Sequence, residues 1–98
     1  MTVSILDLHC LNAVTDDHEN LPTILEEVRR TSHGNVSRPE VVASLEEMAA
    51  GGLVAAFAFD PDRSRFIAVD PSAQDASSLW FRITPAGLAE LEANWVDG

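Results

Sequence analysis

Ser37-Arg38-Pro39-Glu40-Val41-Val42-Ala43-Ser44-Leu45-Glu46-Glu47-Met48-Ala49-Ala50-Gly51-Gly52-Leu53-Val54 is the stretch from which the rest of the chain can be ordered. A serine that can cap, a proline where a first-turn N–H has no helical partner, and a glutamate placed to reach back predict a helix start at Ser37. Val41, Val42, Leu45, Met48 and Ala49 recur at helical spacing and form its expected buried arc. Gly51-Gly52 ends the helix by offering a residue that tolerates positive φ. The period then changes to two. From Leu53 to Phe59, small Val54, Ala56 and Ala58 alternate with larger Phe57 and Phe59, as in a strand.

Upstream, Leu21, Ile24, Leu25 and Val28 share an arc while Glu26, Glu27 and Arg30 point away. Asn20 is the expected cap, Pro22 sits in the first turn, and Arg29-Arg30 lie at the end where the helix dipole favours cations. Thr31 to Val36 is a turn, with Gly34-Asn35 able to take positive φ. Val3 to Val14 reads as a first helix starting near Ser4, with Asp7 in the capping-box position. Val3, Leu6, Cys10 and Val14 lie on one arc, Ile5 and Leu8 nearly opposite, and Leu11 between, so this helix is apolar on more than one side. Thr15-Asp16-Asp17-His18-Glu19-Asn20 has no period and is expected to be a loop. Downstream, Asp60 to Ser64 is a turn, Arg65 to Val69 a second strand, Asp70 to Ser78 a polar stretch and Leu79 to Ile83 a third strand. Thr84-Pro85 caps a last helix in which Leu88, Leu91 and Trp95 share a face and Gly87 is a mild cost.

Ninety-eight residues suffice for one domain, 1–98. No apolar run approaches the roughly 20 residues of a membrane span. The first residues carry no basic leader and include Asp7, so the chain is expected to stay in the cytoplasm. Cys10 is the only cysteine and can make no internal disulfide. Sixteen acids against six arginines and no lysine give a net charge of −10, which repels nucleic acid and anionic membranes at long range.

Leu45-Glu46-Glu47-Met48-Ala49-Ala50-Gly51-Gly52-Leu53-Val54 and Leu79-Trp80-Phe81-Arg82-Ile83-Thr84-Pro85-Ala86-Gly87-Leu88 resemble two patterns of the winged helix-turn-helix superfamily. They are similar to segments of MarR- and PadR-like bacterial regulators, and the likeness runs from about Leu6 to Trp95. It implies an α+β, mostly helical fold: three helices, a β-hairpin wing with room for an extra strand, and a C-terminal helix. The helix starting at Ser37 would then face the DNA major groove, with the wing on phosphate. Charge argues against that use. The helix turns Glu40, Ala43, Ser44, Glu46 and Glu47 outward with only Arg38 beside them, whereas base edges call mostly for Arg, Lys, Asn or Gln. Arg63 and Arg65 on the wing are flanked by Asp60 and Asp62. The expected function is therefore non-enzymatic and exerted through protein–protein contacts, in transcriptional regulation, with the acidic face taking a basic partner. A solvated face is the plainer reading of the same residues. The alternative is a DNA-binding regulator that uses Arg38, Arg63 and Arg65.

The first helix, apolar on two sides, implies a homodimer through Ile5, Leu8, Leu11 and Trp95, unless it lies centrally in a small core. Trp80, Trp95, Phe57 and Phe59 could wall a ligand pocket, but at strand and helix spacing they are expected in the core. Cys10 reads as a small buried hydrophobe, not a redox sensor. His9, His18 and His33 with Asp16, Asp17 and Glu19 lack the spacing of a zinc or calcium site, so no metal, cofactor or catalytic residue is assigned.

Overall fold

Four side chains set where the helices begin. In the computed structural model, which describes residues 3–70 and 75–95, Ser4, Asn20, Ser37 and Thr84 each turn a side-chain oxygen onto a backbone N–H of the helix that follows. The helices are α1 (Ile5–Ala13), α2 (Leu21–Ser32), α3 (Arg38–Ala50) and α4 (Pro85–Asn94). The strands are β1 (Glu19–Asn20), β2 (Val54–Asp60), β3 (Arg65–Val69) and β4 (Trp80–Ile83). Ser4–Asp7 and Ser37–Glu40 are complete capping boxes. Gly52 takes φ 79° after α3, as the glycine pair predicts. At the end of α2, His33 rather than Gly34 or Asn35 adopts the left-handed conformation, with φ 54°.

The strands form one antiparallel sheet in the order β1-β4-β2-β3. β1 corrects the reading of Thr15–Asn20 as a loop throughout, because Glu19 pairs with Phe81 and Asn20 with Trp80. Two residues show too little alternation to be seen along the chain. β2 pairs with both β3 and β4, Phe57 lying opposite Ala68 on one side and Trp80 on the other. Ile83 N–H to Val14 O (3.1 Å) and Thr84 N–H to Leu53 O (3.1 Å) tie β4 to the end of α1 and to the segment after α3.

The helices cover one face of the sheet. Val54 and Ala56 of β2 and Phe81 of β4 are buried there, with Leu11, Val14, Leu21, Ile24, Val28, Val41, Leu45 and Met48 in a single apolar cluster. Complete burial of Phe81 contributes about 2–3 kcal/mol. The small residues of β2 face the helices and the aromatic ones face outward, so Phe57, Phe59 and Trp80 are not core residues. Phe57 and Trp80 are half-buried and Phe59 is exposed, because alternation sets two faces without saying which one the helices cover.

α1 packs against α2, α3 and α4. That accounts for its apolarity on several sides within one chain. Cys10, Leu11 and Val14 are fully buried, so Leu11 cannot belong to a dimer surface. Leu6 and Leu8 are half-buried, and Ile5 is 76% exposed. Among the described residues no helix is long and apolar enough to cross a membrane.

Candidate functional site

α3 presents Glu40, Ala43, Glu46 and Glu47 to solvent, with Arg38 exposed in its first turn. Ser44, expected on the same face, is buried. Its hydroxyl donates to Asp7 Oδ1 of α1 at 2.5 Å, and Asp7 Oδ2 accepts from Ser4 N–H at 2.9 Å. A serine at helical spacing between exposed residues gives no hint of this; only the crossing of α1 over α3 puts an acceptor beneath it. Asp7 is buried as well, a position the sequence reading kept for capping alone. Cys10 lies next to this pair, and burial pushes its thiol up to about 11 against a smaller opposing effect of the Ser44 hydrogen bond. The thiol is therefore neutral near pH 7 and fits the expected buried hydrophobe.

Ser4, Leu6, Asp7, Glu40, Ala43, Ser44 and Glu47 line a shallow hollow of about 350 Å³ between α1 and α3. The three carboxylates of the α3 face are not equivalent. Glu40 is engaged in its cap, accepting from Ser37 Oγ at 2.8 Å and Ser37 N–H at 3.3 Å, while Glu46 and Glu47 project from the C-terminal half of the helix. Arg29 Nε donates to Val36 O at 2.9 Å and pins the turn leading into α3. Arg30 pairs with Glu27, which holds that carboxyl below its usual range. The face is thus a capped helix surface whose net charge is negative.

The β2–β3 hairpin carries Arg63 and Arg65 as expected, both exposed. Arg63 Nε lies 3.6 Å from Asp60 Oδ2, so one of the two hairpin cations is already matched within the turn. The hairpin does not bring either arginine to a residue of the α3 face through any described hydrogen bond or ion pair.

The outer face of the sheet holds a ring cluster. His18 stacks on Phe66 at 4.1 Å between centroids and meets Phe57 edge-on at 4.5 Å; Phe66 also contacts Phe59 and Trp80, each at 5.2 Å. Trp95 meets His9 edge-on at 5.3 Å in the helical layer. The two tryptophans are thus in separate clusters, and neither lines the α1–α3 hollow or a second one bounded by Thr15, Arg82, Ile83, Thr84, Pro85 and Leu88. His9 Nδ1 also bonds with Thr31 Oγ1 at 2.9 Å, linking α1 to α2. Next to His18, the Asp17 carboxyl is held below its usual range by hydrogen bonds from the His18 backbone and ring, and partial burial raises that of Glu19. Among the described residues no three His, Cys, Asp or Glu side chains stand close enough to share a metal ion. No family model, curated protein or solved structure matches this chain.

Proposed function

We propose that this chain is a winged-helix type of module that acts through protein contacts, without catalysis, the exposed face of α3 receiving a basic partner. The order α1-β1-α2-α3-β2-β4-α4, with β3 as an added strand in the hairpin, supports the winged-helix reading. The observation that carries the functional reading is the charge of α3, where Glu40, Glu46 and Glu47 stand outward and Arg38 is the helix's one cation. A reading helix set against phosphate and base edges needs the opposite balance. Self-association across α1 and α4 belongs to the same proposal and rests on Ile5, Leu8 and Trp95, Leu11 being buried.

Titration against random duplex DNA at low salt tests it, because phosphate attraction is then greatest. No binding is expected. Binding with a steep salt dependence, lost when Arg38, Arg63 and Arg65 are changed to alanine, would establish the DNA-binding alternative instead.

A further inference from the structure

Asp7 is the one buried carboxylate among the described residues, 5% exposed, and no arginine or histidine there forms an ion pair with it. Its oxygens accept from Ser4 N–H and from the Ser44 hydroxyl, both neutral donors. A buried carboxylate without a cation is under-compensated, and a cation brought to it from outside would offset that cost. The way in exists, because Asp7 lines the hollow between α1 and α3. Glu47 lines it too, and its carboxylate takes part in no hydrogen bond or ion pair with the described residues. We propose that this hollow takes one arginine side chain of a partner protein, with the guanidinium against Asp7 and Glu47.

The inference rests on the α3 face receiving a basic partner, and it names the side chain that anchors that partner. Charge complementarity selects a cation, since Asp7, Glu40 and Glu47 share the lining and no arginine or histidine does. Size selects a single side chain. A shallow space of about 350 Å³ lies at the lower end of the roughly 300–1,000 Å³ of small-molecule sites, too small for a helix or strand. The walls favour arginine over lysine. Leu6 and Ala43 offer apolar surface to a methylene stem, and a planar guanidinium can donate to two carboxylates at once while giving up less hydration than an ammonium. Ala43 keeps the space open, because a leucine at this exposed position would fill part of it. Glu46 carries the same charge on the same helix but does not line the hollow, which makes it the internal control.

Titration of the full chain with nona-arginine and with nona-lysine at low salt, read by calorimetry and by NMR amide shifts, tests the proposal. Nona-arginine should bind with a Kd below about 1 mM, shift the amides of Leu6, Ala43 and Ser44, and bind about threefold more tightly than nona-lysine. Ala43→Leu leaves the charge unchanged and should still melt cooperatively, yet weaken nona-arginine about tenfold. Glu47→Gln should weaken it about tenfold as well, and Glu46→Gln less than about threefold. Equal binding of nona-arginine to wild type and Ala43→Leu overturns the hollow as the anchor, as does an equal loss from Glu46→Gln and Glu47→Gln; a basic partner would then sit elsewhere on α3. Equal affinity of the two peptides overturns the choice of arginine. No binding of either peptide overturns both this inference and the basic partner itself.

Discussion

Replacing Gly87 by alanine should destabilise the protein, although alanine is the better helix former by about 1 kcal/mol. Gly87 lies buried in the first turn of α4, where its N–H is capped by Thr84 Oγ1 at 3.0 Å. A Cβ there would stand 2.0 Å from Leu53 O and 2.9 Å from Ile83 Cγ1. The first gap falls about 1.4 Å short of the 3.4 Å at which ordinary contact begins, and the obstacle is backbone. Leu53 O cannot withdraw cheaply, since it accepts from Thr84 N–H and the adjacent Gly52 O accepts from Thr84 Oγ1 at 2.7 Å. Either α4 lifts from the sheet or the segment after α3 shifts. Overpacking of this kind costs about 3 kcal/mol, leaving a net loss of about 2 kcal/mol after the gain in propensity. For a domain of this size the melting temperature should fall by about 10 °C, with the urea midpoint lowered in parallel. Ala89→Gly, at an exposed position of the same helix, should cost only about 1 kcal/mol. A Gly87→Ala protein as stable as wild type, or more stable, would refute the close approach of α4 to Leu53.

The buried link between α1 and α3 gives a second prediction: Asp7→Ala removes the carboxylate that accepts from both Ser4 N–H and the Ser44 hydroxyl, costing about 2–3 kcal/mol in urea unfolding. Ser44→Ala should cost less, and the double variant less than the sum of the two, in a double-mutant cycle. The Cys10 thiol, raised from 9.0 to about 11 in the folded chain, contributes stability that is intact below pH 9 and lost as pH rises towards 11. That loss amounts to about 2–3 kcal/mol, and Cys10→Ala should remove this part of the alkaline slope in denaturant titrations at successive pH values. Thiol reagents at pH 7 should modify Cys10 only at the rate at which the domain opens.

Caps were the most readable features, because each is a contract among residues three apart. Asn20, Ser37 and Thr84 start their helices where their side chains and the following prolines say they should. β3 begins and ends where its residues suggest, and β4 starts one residue late, at Trp80, with Leu79 buried before it. What the chain could not reveal depends on long-range neighbours. Phe57 and Trp80 are ordinary core residues by composition, yet they lie outside because α3 and its companions cover the Val54–Ala56 side of the sheet. Leu11 was legible as apolar but not as central, since three helices are needed to enclose it. Of the α3 site, Glu40, Ala43, Glu46 and Glu47 are exposed as expected, while Ser44 turns inward to an acid 37 positions away.

β4 completes the sheet between β1 and β2, so residues near 20 and near 80 must meet before either is in place. A ribosome making this chain adds the first three helices before it reaches Phe81, and until then their common interior lacks its largest ring. The nascent domain is consequently an unfinished shell until β4 is added. Cutting the message before Ile83 would yield a species for chaperones and proteases to handle, not a smaller working version of the domain.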